Sequence, residues 1–201
     1  MPPVPHLVVF DVGDVLVSSG DVLPHLAAEA GVTPERFAPA YWRDRHAYDL
    51  GVDEHAYWTA VLADLGREPD PDLVDRLARL DAGKWSQLPA AGRALLDGLA
   101  GVPLAVLSNA PAALAAAVRA ADWSRAFTAL VFSAEVGLAK PDPAIYARAD
   151  AACGTAPGDV VFFDDREANV AAARTHGWQA HLWVPGTTAG QVRDLLHRDR
   201  A

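Results

Sequence analysis

The sequence predicts an α/β fold: a parallel sheet with helices on both faces, and a helical segment inserted after the first strand. Three observations predict it. Short apolar runs rich in Val, Leu and Phe recur at 7–10 (LVVF), 103–108 (PLAVLS), 129–133 (ALVFS), 159–163 (DVVFF) and 180–184 (AHLWV). Unbroken runs of this length read as strands buried on both faces. Alanine-rich segments with helical spacing separate the later runs, and strands alternating with helices form parallel sheets. The stretch from 18 to 86 has no comparable run and reads as helices alone.

In chain order, LVVF is the first strand and closes on Asp11. DVLPHLAAEAG (21–31), PERFAPAYWRDRHAYDLG (34–51), DEHAYWTAVLADLG (53–66) and PDLVDRLARLDAG (71–83) follow as helices of the insertion. PLAVLS is the second strand and PAALAAAVRAA (111–121) the helix after it. ALVFS leads to PAIYARADAAC (143–153), where Asp142 caps the helix and Pro143 takes its first position. DVVFF is followed by REANVAAARTHG (166–177), ended by Gly177. AHLWV is the last strand, and Thr188 with Gln191 forms a capping pair before VRDLLH. The expected division is an α/β core of 1–17 and 87–201 and a helical unit of 18–86.

A chain of 201 residues, 51% hydrophobic, is long enough to bury a full core. Its net charge of −9, with Lys and Arg scattered, offers no basic face to nucleic acid or anionic lipid. No apolar run approaches the roughly 20 residues of a membrane span. The start, MPPVPHL, has neither a basic region nor a long apolar stretch, so a cytoplasmic protein is expected. Cys153 is the only cysteine, which rules out an internal disulfide and reads as a small buried hydrophobe.

Ligands of parallel sheets bind at the carboxyl ends of the strands. The residues there are Asp11, Ser108 with Asn109, and Asp164 with Asp165, while Lys140 precedes the helix after the third run. Singly, each has a bland use: Ser108-Asn109 as a strand-ending turn, Lys140 as a solvated loop lysine, Asp164-Asp165 as a helix cap. Together they bring three carboxylates to one place. Such a group repels itself unless a cation neutralises it, and hard oxygen ligands favour magnesium.

Four motifs in this order, DVGDV at 11–15, LSNA at 107–110, GLAKPDPAIY at 137–146 and VVFFDDREANV at 160–170, resemble the haloacid dehalogenase (HAD) superfamily, whose members are mostly phosphatases. The resemblance covers nearly the whole chain and implies a Rossmann-like, HAD-like core with 18–86 as a small helical cap. It implies that Asp11 is the nucleophile and forms an aspartyl-phosphate. Magnesium would be held by Asp11, the Gly13 main-chain carbonyl and Asp165, with Asp164 a further ligand or a support. Ser108, the groups near Asn109, and Lys140 would bind the phosphate of a small phosphorylated substrate, in a monomer or homodimer.

Most phosphatases of this superfamily carry a second acid two residues after the nucleophile, and here that position is Gly13. Such an acid contributes about 10² to 10⁴ in rate, so its absence weakens turnover without forbidding it. Asp14 cannot simply replace it, because neighbouring side chains of an extended chain point oppositely. Activity is therefore expected to survive but to favour phosphate esters with good leaving groups, and the D-x-G-x-V form is similar to phosphatases acting on sugar 1-phosphates. Two other readings stay open: a catalytically weak binding or regulatory module, and a haloacid dehalogenase, which Asp164-Asp165 disfavours. A phosphomutase is disfavoured by Gly13. In the cap, Tyr41, Trp42, Arg45, His46, Tyr48 and Trp58 are candidates for substrate contact, but aromatics at helical spacing commonly build a core and none is assigned. The seven histidines are dispersed.

Overall fold

A computed structural model describes residues 7–198. The chain opens with β1 (Leu7–Phe10), followed by α1 (Ser19–Glu29), α2 (Pro34–Arg43), α3 (Arg45–Asp49), α4 (Glu54–Asp64), α5 (Pro71–Trp85) and α6 (Ala90–Gly98). Then come β2 (Leu104–Ser108), α7 (Ala112–Ala120), β3 (Ala129–Phe132), α8 (Ser133–Val136) and α9 (Pro143–Cys153). The last elements are β4 (Val160–Asp164), α10 (Glu167–His176), β5 (Gln179–Leu182) and α11 (Ala189–Arg198).

All five strands form one sheet in the order β3-β2-β1-β4-β5, every pair parallel. Side chains of a strand alternate between faces. Val8, Phe10, Val106, Phe132 and Phe163 therefore meet one apolar cluster, and Leu7, Val9, Leu107, Val131 and Phe162 another. The second cluster is closed by Ile145, Tyr146 and Ala149 of α9 and Val170 and Ala173 of α10. The first takes in α6, α7 and α11 and continues without interruption into α1, α2, α3, α4 and α5. The five helices before α6 thus pack as one body with that face of the sheet.

The central strands β1, β2 and β4 are buried throughout, as their apolar runs require. The edge strands are not: β3 and β5 each keep partly exposed positions, since an edge strand is covered less completely. Strand β5 also stops at Leu182, short of the expected run to 184. Trp183 is apolar for another reason: from the loop it packs edge-on against the rings of Phe10 and Phe163 at 6.1 and 5.8 Å. The expected caps are present. Asp142 accepts from Ala144 N, Gly177 ends α10 in the left-handed region, and Thr188 and Gln191 bond reciprocally. The helix expected over 34–51 breaks at Asp44, whose backbone leaves the helical region and turns α3 away from α2.

Candidate active site

β1 and β4 are adjacent, with Phe10 opposite Phe163, so Asp11 and the acids after Phe163 emerge side by side. One carboxylate oxygen each from Asp11, Asp164 and Asp165 lies within 4.8 Å of the others. Asp11 and Asp164 are buried, while Asp165 faces solvent. Ser108 ends the neighbouring β2, and its hydroxyl favours the charged form of the Asp11 carboxylate.

Lys140 is sealed beneath this group. Its ammonium lies 2.6 Å from Asp164 Oδ2 and 3.1 Å from Asp11 Oδ2, and donates to the Leu107 carbonyl at 2.8 Å. The ammonium thus donates to Asp164 and Leu107 and forms an ion pair with Asp11. Burial alone would lower the lysine pKa, but Asp11 and Asp164 reverse this and raise it. The solvated-loop reading of Lys140 does not hold, because it is among the best-enclosed side chains of the molecule.

Asp164 is engaged on both oxygens. Oδ1 accepts from Arg166 N and from Asn169 Nδ2, each at 2.9 Å, and Oδ2 accepts from Lys140 and, at 3.1 Å, from Asn169. The helix-cap reading of Asp164-Asp165 does not hold, because Arg166 is the N-cap of α10 and no side-chain cap bond forms there; Asp164 instead accepts from the Arg166 amide and anchors Lys140. Asn169 Oδ1, buried at the same place, meets no donor among the described residues. Asn109 reaches Lys140 from the other side: its amide donates to the Lys140 carbonyl at 2.9 Å and accepts from the Lys140 amide at 2.8 Å. The Asn109 side chain is thus spent on holding the Lys140 backbone.

Charges at the site are strained by burial. Burial pushes Asp11 up against the pull of Lys140, with Asp164 adding to the rise. Asp165 is pushed up to about 6 by burial and then by Asp11, Asp164 and Asp14. A divalent cation among these oxygens would relieve both. The donor set fits such an ion: carboxylates and an orphaned amide oxygen, all hard ligands.

A cavity of about 100 Å³ lies over the group. Asp11, Gly13, Ser108, Asn109 and Asp165 line it from the strand ends, and Trp42, Arg45, Asp49 and Trp85 from the helical insertion. Of the six candidates in that insertion, Trp42 and Arg45 reach the cavity. Tyr41 and Trp58 belong to the core, Tyr48 stacks on Tyr57 at 4.1 Å, and His46 lines a separate surface hollow beside Pro141.

Three groups that sequence reasoning missed complete the site: Asp49, Asp81 and Trp85. Arg45 Nε bonds Asp49 Oδ1 at 2.7 Å, and its Nη1 faces Asp81 Oδ2 at 3.4 Å and the Tyr41 hydroxyl. Tyr41 in turn donates to Asp81 at 2.8 Å and accepts from Trp85 Nε1 at 2.8 Å. All five residues are buried. One cation thus faces two acids, and burial pushes both Asp49 and Asp81 up to about 6 against the pull of Arg45. Trp85 stands over the first motif: a Cβ added to Gly13 would meet its ring at 3.7 Å. The spacing of YWRDRHAYD held the only signal for Asp49, one helical turn after Arg45.

A family model for haloacid dehalogenase-like hydrolases matches residues 5–177. Among curated proteins, the chain is 29% identical over 125 residues to haloacid dehalogenase-like hydrolase domain-containing protein 3 of Danio rerio. That match takes in 57% of this chain and 52% of the relative, so the chain spans about half that protein's length. The solved L-2-haloacid dehalogenase of Xanthobacter autotrophicus superposes with a TM-score of 0.74 at 22% identity, over 96% of this chain and 83% of that one. A HAD family enzyme of Bacteroides thetaiotaomicron, solved with magnesium and inorganic phosphate, gives a TM-score of 0.67 at 16% identity, over 94% and 99%. At these identities the two structures establish a shared fold.

Proposed function

The chain belongs to the haloacid dehalogenase-like hydrolase family, and from that premise we propose that it is a magnesium-dependent phosphatase of small phosphate monoesters. One observation carries the reading: three carboxylates converge within 4.8 Å, and the one buried lysine among them is shared between two of these acids and a carbonyl. The remaining negative charge suits a divalent ion. Residues 18–86 act as the cap, and the cavity of about 100 Å³ beneath them suits a small substrate.

In this reading Asp11, the Gly13 carbonyl and Asp165 hold magnesium, and Asp164, with both oxygens engaged, anchors Lys140. The ion, when bound, offsets repulsion between the anionic ester and the acids around it. The Asp11 carboxylate attacks phosphorus, and the Ser108 hydroxyl and the main chain at Asn109 donate to the phosphoryl oxygens. Lys140 keeps Asp11 charged and oriented, and Asn109 fixes the Lys140 backbone. Positioning and charge stabilisation are most of what phosphoryl transfer needs. The solved enzyme with magnesium and inorganic phosphate supports this reading by its shared fold. Against a haloacid substrate stands the acidic group itself, since Asp164 and Asp165 without a cation would repel a carboxylate.

The test measures phosphate release from an aryl phosphate with magnesium, with chelator, and with Asp11→Asn. Metal-dependent release lost in the variant is the expected result. No release at all would leave a binding module, and chloride release from a haloacid would indicate a dehalogenase. A panel of sugar, nucleotide and small-acid phosphates then identifies the substrate.

A further inference from the structure

Gly13 leaves the first motif without an acid, and the Trp85 ring stands over the place where its side chain would begin. In-line displacement at phosphorus puts the leaving oxygen opposite the nucleophile, away from Asp11 and toward the cap. The carboxyls lining the cavity are Asp11, Asp14, Asp49 and Asp165. Asp11 is the nucleophile and Asp165 a metal ligand in the reading above. Asp14 is turned into the backbone, where its Oδ1 accepts from Ser19 N at 2.7 Å. Asp49 is the carboxyl that the cap contributes.

We propose that Asp49 is the general acid and base of the reaction, taking over the task that Gly13 cannot perform; the assignment rests on the phosphatase reading. As the bond from phosphorus to Asp11 forms, the ester bond breaks and its electron pair stays on the leaving oxygen, which takes the Asp49 proton. Water then attacks the aspartyl-phosphate and gives its proton to the Asp49 carboxylate. The bond from phosphorus to Asp11 breaks, and its electron pair returns to Asp11.

The surroundings of Asp49 serve both steps. Arg45 Nε holds Oδ1 at 2.7 Å and stabilises the negative charge left when the proton departs. The Ser133 hydroxyl donates to the Asp49 carbonyl at 2.5 Å and accepts from Ala110 N at 2.8 Å, tying α3 to the loop that carries Ser108 and Asn109. The charged and titratable groups around Asp49 are Arg45 on its own helix, Asp81 from α5, Tyr57 from α4 and Asp11 from β1. Burial first, then Asp81 and Asp11, hold its carboxyl at about 6 against Arg45, where it can both give and take a proton near neutral pH.

The test compares the full-length chain with Asp49→Asn, both with magnesium, on aryl and alkyl phosphates of graded leaving-group pKa. The wild type is expected to depend weakly on the leaving group. In kcat/KM the variant should lose about 10²-fold or more on alkyl phosphates and far less on 4-nitrophenyl phosphate, and it should lose the alkaline fall of kcat/KM. It should also show a burst of 4-nitrophenol, because hydrolysis of the aspartyl-phosphate lacks its base. An unchanged leaving-group slope with no burst overturns the proposal. Should Asp49→Asn fail to fold, the wild type decides alone: a steep slope across the series overturns the assignment and a shallow one upholds it. A wild type inactive on every ester overturns the phosphatase reading itself and this inference with it.

Discussion

The Lys140 ammonium and the Asp164 carboxylate lie 2.6 Å apart, and both side chains are wholly withdrawn from solvent. Removing one partner of such a pair leaves a buried charge uncompensated, which costs about 3–5 kcal/mol. Lys140→Met is therefore expected to lower the urea midpoint strongly and to abolish turnover while the carboxylates still bind magnesium. The lysine pKa is raised, so its contribution is complete below the unfolded value and is lost only as pH rises through the higher folded value. The loss should be equal at pH 6 and pH 8.

The buried acids of the helical insertion depend on pH in the same direction, at far lower pH. Asp49 and Asp81 rise from 3.8 to about 6 on folding, through burial. A raised acid favours folding below its unfolded value, and that advantage is lost as pH rises through about 6. Without metal, thermal stability should therefore fall as pH rises from about 3.8 to about 6, and change little from this cause above that. Asp81→Asn leaves Arg45 with Asp49 alone and keeps an acceptor for Tyr41. Melting curves of the variant should show a smaller fall over the same range.

Asn109 makes two hydrogen bonds to the Lys140 backbone across 31 residues of sequence. Each bond contributes about 1 kcal/mol net, so Asn109→Ala should lose about 1–2 kcal/mol in denaturant titration. Its kcat should drop more than its KM rises, because Lys140 loses its register on Asp11.

Asp165 is the most exposed member of the acidic group; partial burial and then repulsion from Asp11, Asp164 and Asp14 lift its pKa, and a cation would remove the repulsion. Asp165→Asn should lower magnesium affinity in calorimetry by about 10-fold or more, since loss of even an outer partner of a metal ligand costs about 10- to 100-fold. The metal-free variant should be at least as stable as the wild type, because it sheds a repelled charge.

The strand ends were legible because each follows an apolar run, and parallel pairing then brings Asp11, Ser108 and Asp164 to one edge. The last run was overread because Trp183 is apolar for packing against Phe10 and Phe163 and has no strand partner to match. The upper wall of the site was hidden for a different reason. Tyr41 finds Asp81 forty residues away and Trp85 forty-four away, and no local period records such pairings. The family resemblance assigns the main chain near Asn109 to phosphate, and nothing in the sequence marks its side chain, which is turned onto Lys140.

Gly13 allows the missing acid to be put back. Its backbone is outside the left-handed region, and an added Cβ would meet the Trp85 ring at 3.7 and 3.9 Å, ordinary contact distances. Gly13→Asp should therefore fold, with Trp85 bounding the new side chain on one side. In the wild-type background the change should alter alkyl phosphate hydrolysis little, because Asp49 already supplies the proton. In the Asp49→Asn background it should recover much of the rate lost on alkyl phosphates and suppress the 4-nitrophenol burst, since the new carboxyl can serve both steps. Recovery in the double variant without a matching gain in the single one would show that the two positions perform one task from opposite sides of the cavity. Equal gains in both backgrounds would mean that Asp49 had never performed it.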